Sequence, residues 1–184
     1  MTSTREHLAM AAAELLDIGG PRAVTLRAVA ERVGMSHNAP YKHFASKEAL
    51  LASIAARELN ALADVLAEEG RSLEEVLVGY VDWALRYPNR FRLAFGPWDK
   101  GSPDLGEAAR LALRNLGSAV SRAQDKGQIR QGDSERLGAL IQATVHGALE
   151  MELNGHLSSN GKHNMNAQDL ALTLLGMLAP SRVT

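Results

Sequence analysis

"TLRAVAERVGMSHNAPYKHFASKEALL", Thr25 to Leu51, decides how the rest of the chain is read. Thr25 stands where a side-chain oxygen can accept from a free backbone N–H at a helix start, and the helix-forming run "LRAVAERV" comes directly after it. Val24 before that cap and Val29 at the fourth helical position form a hydrophobic staple. Gly34 supplies the left-handed residue that ends a helix. Small Ala30, four positions earlier, lets the next helix approach closely, and Val29, Val33 and Met35 face inward. Two brief helices around a tight glycine turn make a helix-turn-helix.

No Asp or Glu occurs from Arg32 through Lys47, while His37, Asn38, Tyr41, Lys42 and His43 gather donors and cations there. Pro40 interrupts them. If Ser36 caps the second short helix, Pro40 is its fourth residue, and its missing N–H costs the first intrahelical bond. If His37 is the cap, Pro40 is third and loses nothing. The later start is favoured, with the ring filling the inward face and its fixed φ stiffening a helix too short to stand alone.

Helical punctuation continues outward. Ser3 and Glu6 form a capping box, and Leu8, Ala11, Ala12, Leu15 and Ile18 recur at helical spacing until "GGP" stops the run. "SKEALL" opens a long helix over roughly 47–69, closed by Gly70. Ser72 and Glu75 open another through Tyr87, which Pro88 terminates. "PNRFRLAF" adds one or two turns, and "GPWDKGSP" is a loop. A helix over about 104–126 precedes the turn "KGQIRQGD". Asp133 caps a helix to about His156, "LSSNGKHNMN" is a surface loop, and Ala167 to Leu178 is the last helix. The expected fold is all-α, with about nine helices and no strand. Its divisions are a three-helix head at 1–46 (the helix-turn-helix at about 25–44), a connecting helix at 47–70 and a helical body at 71–184.

Composition agrees. Of 184 residues, 46% are hydrophobic and 22% charged, which suits a globular chain able to bury a core. Net charge is −1, so any affinity for a polyanion must be local rather than global. The absence of cysteine excludes disulfides, zinc–thiolate sites and thiol nucleophiles. No signal-peptide pattern opens the chain. The longest apolar stretch without a charge, Leu137 to Leu149, falls short of the about 20 residues a membrane span needs. A soluble, cytoplasmic protein without membrane contact is expected. No Gly-rich phosphate loop succeeds a strand, and neither H-E-x-x-H nor Glu-x-x-His occurs, so neither an enzyme nor a cofactor is expected. His146 and Glu150 stand one turn apart with His156 nearby, but two ligands are not a metal site, and none is expected.

The quoted stretch resembles the DNA-binding head of TetR-type transcriptional repressors over roughly residues 4–55. Their signature is a capped second helix, a Gly-x-Ser turn, a short recognition helix ending Tyr-x-His-Phe, and Ser/Thr-Lys-Glu opening the fourth helix. Here these are "GMS", "YKHF" and "SKE". Pro40 departs from the commoner large apolar residue. "YPNRFRLAFG" and "VHGALEMEL" look like the WHG-type regulatory domain of one branch of that family. The resemblance implies that Thr25 and Arg27 meet phosphates, that His37, Asn38, Ala39 and Lys42 face the groove, and that Tyr41, His43 and Lys47 clamp the backbone. The chemistry is compatible: Asn pairs bidentately with adenine, Lys reaches guanine, and the Ala39 methyl can meet a thymine methyl.

The resemblance also implies a homodimer on double-stranded DNA that answers to a small-molecule effector. The 133–156 helix is apolar on more than one face, so Leu137, Ile141, Thr144, Val145 and Ala148, with Leu172 and Leu175 of the last helix, are expected at a two-fold interface. The alternative is ordinary intrachain core. Trp83, Tyr87, Phe91, Phe95 and Trp98 either line an effector pocket or fill the core. The rival function is a helical ligand-binding or protein-interaction module without DNA binding.

Overall fold

The structure, a computed structural model, describes residues 3–98, 102–161 and 163–180. Among these, eight α-helices and one 3-10 turn make up the regular structure. They are α1 (Thr4–Ala23), α2 (Leu26–Arg32), the turn Pro40–Lys42, α3 (Lys47–Ala67), α4 (Leu73–Arg86), α5 (Pro88–Phe95), α6 (Pro103–Asp125), α7 (Ser134–Leu153) and α8 (Ala167–Leu178). The fold is all-α. One isolated antiparallel bridge, Ser158 to Met165, is the sole β pairing among the described residues, and it sits inside the expected surface loop. That loop and the "GPWDKGSP" loop lie partly outside the described residues, at 162 and at 99–101. No helix among the described residues is long and apolar enough to cross a membrane.

The caps fall where the sequence places them. Ser3 Oγ accepts from Glu6 N at 3.2 Å while Glu6 accepts from Ser3 N at 2.7 Å. Ser72 and Glu75 repeat the arrangement at the start of α4. Asp133 accepts from the N–H groups of Glu135 and Arg136 to open α7. Each satisfies donors that the first helical turn leaves unpaired.

Two compact units emerge. The first holds the chain through Ala61 together with Tyr87–Arg110. Its core packs Leu8, Leu16, Val24, Val29, Phe44, Leu50 and Ile54, with Val33 and Met35 against them. Val24 and Val29 are fully buried, as a staple requires. The apolar face of α1 turns earlier than expected, with Leu16 buried and Ile18 75% exposed. Gly19 and Gly20 break the helix immediately afterward, Gly20 at φ 65°.

This unit does not respect the linear division at residue 46, because α5 is tethered to α1. Asn89 Nδ2 donates to the Leu16 carbonyl at 3.0 Å, and Arg90 is ion-paired to Asp17. Arg90 also reaches Glu58 of α3 at 3.3 Å, a carboxylate only 8% exposed, and its guanidinium lies over the Tyr87 ring. Burial works against the Arg90 charge, and the two carboxylates more than restore it.

The second unit holds Leu62–Arg86 and the chain from Leu111 onward. There α7 and α8 pair, with α4 against both. Val81, Val120, Ile141, Val145, Leu149 and Ala171 are buried. Side chains of α6 and Lys126 just past it satisfy carbonyls at the end of α3 and just beyond: Asn115 to Ala63 at 2.9 Å, Arg122 to Leu66, and Lys126 to Glu69 at 3.1 Å. Two of these donors are cations, which favour the negative end of the helix dipole.

Candidate functional site

The turn between α2 and Pro40 closes with a Schellman motif. Met35 N donates to Ala30 O at 2.9 Å and Gly34 N to Glu31 O at 3.2 Å, with Gly34 at φ 68°. The helix expected from Ser36 or His37 to Phe44 is cut short. Ala39 N takes the Ser36 carbonyl in a turn at 2.9 Å, and regular structure begins only at Pro40, as a single 3-10 turn. The reason is Pro40 itself, which has no N–H to bond back toward Ser36 and therefore can sit only in the first turn. His43 N and Phe44 N both converge on the Pro40 carbonyl at 2.9 Å. The Pro40 ring is buried, as expected of an inward-facing residue, and Phe44 is buried one turn later in sequence.

These two anchors orient the other side chains. His37, Asn38, Tyr41, Lys42 and His43 are all exposed and Ala39 is half-buried. Tyr41 is 61% exposed, far more than a ring that is mainly core would be. Thr25 Oγ1 accepts from Ala28 N at 3.0 Å, leaving its hydroxyl proton to donate outward. Lys47 is the first residue of α3, whose N-terminal end favours an anion; Ser46 Oγ already accepts from Ala49 N there at 3.2 Å, and the Glu48 carboxylate accepts from its own backbone N–H.

The surface carries residues that sequence reasoning did not single out. Glu31 Oε1 accepts from Arg27 Nε at 3.0 Å, so an acid at the edge of the acid-free stretch holds that side chain, and it lies 3.9 Å from His37 Nδ1, beyond hydrogen-bonding distance. Arg5 places its guanidinium 5.0 Å from the centre of the Phe44 ring and 3.9 Å from Asp104. An i, i+4 spacing pointed to the first pairing; nothing local pointed to the second.

The aromatic residues of the 83–98 window have distinct surroundings. Trp83 stacks on Tyr80 with centroids 5.8 Å apart, and Tyr87 lies beneath Arg90. Phe91 is buried with its ring 5.6 Å from Phe95. Phe95 and Trp98 come together in a cleft of about 560 Å³ within the first unit.

His146, set aside as a metal ligand, bonds to a tyrosine of its own chain. Its Nε2 is 2.6 Å from Tyr80 Oη, with the rings stacked 5.7 Å apart. Burial pulls the imidazole down to about 4, against the opposing pull of Glu150. Burial also pushes the Tyr80 phenol up. A neutral imidazole beside a protonated phenol makes Tyr80 the donor and Nε2 the acceptor, with the ring proton on Nδ1. Among the described residues no group of three His, Cys, Asp or Glu is placed to hold a metal ion.

Leu137, Ile141, Val145 and Ala148, expected at a two-fold interface, are instead buried inside this chain. Leu172 and Leu175 are half-buried along a groove of about 400 Å³ shared with Leu73 and Ile129. Only Thr144 of the α7 set retains surface. The open side of α7 is the next stripe round, Leu140, Ala143, Gly147 and Met151, with Leu170, Leu174 and the 75% exposed Met177 on α8. A helix apolar on two faces offers both to a partner; packing of α4 and α8 against it selects the buried one.

Comparison with known proteins adds to this geometry. Residues 9–54 match the family described as bacterial regulatory proteins, tetR family. Residues 73–175 match the one described as Tetracyclin repressor-like, C-terminal domain. The chain is similar to the HTH-type transcriptional repressor AcnR of Corynebacterium glutamicum, at 28% identity with 85% of this chain and 81% of that protein covered. Among solved structures it is similar to a protein of unknown function from Rhodococcus sp. RHA1, at 26% identity and a TM-score of 0.79 over 98% of this chain and 97% of that one. It is also similar to SmeT, the repressor of the Stenotrophomonas maltophilia multidrug efflux pump SmeDEF, at 25% identity and a TM-score of 0.66 over 96% and 88%.

Proposed function

The chain belongs to the TetR family of bacterial regulatory proteins, and on that premise we propose that it is a repressor that binds a pseudo-palindromic operator as a homodimer and answers to a small apolar effector. It acts by binding rather than catalysis, in the cytoplasm where its DNA target lies. One observation carries the reading: buried Pro40 and Phe44 leave five polar or charged side chains exposed together between His37 and His43, in a stretch without an acid.

Asn38, His37, Lys42 and the Ala39 methyl read base edges in the major groove. Thr25, Arg27, Tyr41, His43 and Lys47 meet phosphates and set register, Lys47 with the help of the α3 N-terminus. Arg27 reaches a phosphate by leaving Glu31, which trades an exposed pair of little worth for a stronger field. The second copy docks through Leu140, Ala143, Gly147 and Met151 with Leu170, Leu174 and Met177. The named residues carry no formal charge, so a two-fold axis through them would set apolar surface against apolar surface. Two heads then address half-sites about 34–36 Å apart or another whole number of turns. SmeT has been solved as a complex with triclosan, which supports an apolar effector here.

The test is selection of bound duplexes from a random DNA pool by the full-length chain. Enrichment of a two-fold symmetric site with half-sites a whole number of helical turns apart is expected. A pool left unchanged after several rounds at low salt would sink the reading in favour of a module that does not bind DNA.

A further inference from the structure

The cleft in the first unit is chemically lopsided. Leu59 of α3, Phe95 at the end of α5, Trp98, and Leu105 and Ala109 of α6 wall it with apolar surface. The Trp98 indole N–H is already spent on the Leu93 carbonyl at 2.9 Å, so the ring has no donor left to offer. Among the described lining residues no carboxylate occurs, and Arg110 brings the one formal charge. Arg110 makes no ion pair among the described residues. Its Nη1 lies 3.5 Å from where a Cβ on Gly106 would stand, so the guanidinium lies over bare backbone that itself lines the cleft. A cation is thereby held at the rim of an apolar hollow of about 560 Å³, ample for a molecule of some ten to fifteen heavy atoms.

We propose that this cleft binds a small carboxylic acid with an aromatic or branched apolar body, the body against Phe95, Trp98 and Leu105 and the carboxylate on Arg110. The proposal rests on the reading of the protein as effector-responsive and refines it, keeping the effector's body apolar and giving it one carboxylate. A guanidinium presents a planar fork that matches a carboxylate bidentately, and the apolar wall shields the pair on one side. A neutral amide of the same shape keeps the apolar contacts and loses the ionic pair. An amine meets a like charge at the rim.

The test is calorimetric titration of the full-length chain, without DNA, with 1-naphthoate, phenylacetate and isovalerate and the primary amide of each. At least one acid binds saturably at one per chain, and its amide binds at least about tenfold more weakly. Arg110→Gln weakens that acid to the level of its amide and leaves the amide unchanged, while Arg110→Lys recovers part of the difference. Arg110 is exposed, so these variants keep the fold, which far-ultraviolet dichroism checks. The binding acid quenches tryptophan emission, and Trp98→Phe abolishes the quench while heat is still evolved. No saturable heat from any of the acids up to millimolar concentration overturns the proposal. So does equal affinity for acid and amide, an acid preference that survives Arg110→Gln, or a quench that survives Trp98→Phe. Because no DNA is present, acid binding beside a failed operator selection would remove the regulator and leave the site.

Discussion

Arg90 grips Asp17 with both edges of its guanidinium, Nε to Oδ1 at 2.9 Å and Nη2 to Oδ2 at 2.6 Å, across 73 positions of sequence. The third nitrogen turns to Glu58, and Arg90 retains only 14% side-chain exposure. Arg90→Met leaves Asp17 without this partner and the nearly buried Glu58 with Arg57 alone, at 3.5 Å, so urea unfolding should show a loss of about 2–3 kcal/mol. Arg90→Lys should recover little, because an ammonium cannot fork onto Asp17. A loss under about 1 kcal/mol would mean that the pair contributes no more than an exposed one does.

Gly34 and Gly79 should respond oppositely to alanine. A Cβ meets nothing within 4 Å at either position. At Gly34 the φ of 68° alone is penalised, so Gly34→Ala costs about 1–2 kcal/mol. At Gly79, inside α4, alanine restricts only the unfolded chain and stabilises by about 0.5–1 kcal/mol. Thermal melts that moved both in the same direction would contradict the assigned backbone.

Contacts to phosphate and to bases should separate under mutation. Lys47→Ala and Tyr41→Phe should weaken selected and random duplexes alike, and Lys47→Ala should lower the salt slope by about 1. Asn38→Ala should relax preference at one base pair per half-site, worth about 1–3 kcal/mol. A Lys47 variant with unchanged salt dependence would place that lysine off the backbone.

The stripe on α7 that faces outward should control assembly, and its buried neighbour should control stability. Leu140→Glu, alone or with Met177→Glu, should yield a folded monomer in sedimentation at micromolar concentration. Leu137→Ala should leave assembly intact and lower unfolding free energy by about 2–5 kcal/mol. If the Leu140 variant stayed dimeric, the two-fold contact would lie on another face.

Acid should destabilise the protein through His146. Its folded value of about 4 lies below its ordinary 6.5, so between those values the unfolded chain binds a proton that the folded one refuses. Stability therefore rises with pH across that window and levels off above it, with a slope from this group of at most about 1.4 kcal/mol per pH unit. His146→Gln should flatten that component of the curve measured by chemical denaturation. An unchanged slope would assign it to other groups.

The caps at Ser3, Thr25, Ser72 and Asp133, the left-handed Gly34 and the inward Pro40 were legible in the sequence, as was the all-helical class. Each of these depends on atoms within about five positions, where chain connectivity already brings the partners together. Even there Pro40 held back part of its meaning, since its missing N–H reduced an expected helix to one 3-10 turn. The clamp of Arg90 on Asp17, the separation of Phe95 and Trp98 in the cleft from the other aromatics of their window, the Tyr80–His146 bond and the open stripe of α7 were not legible. Periodicity reports that a helix has apolar faces, but which face is covered depends on packing against helices far away in sequence. Local hydrogen bonding thus determined what each segment becomes, and only tertiary burial decided which of its surfaces remain available to a partner.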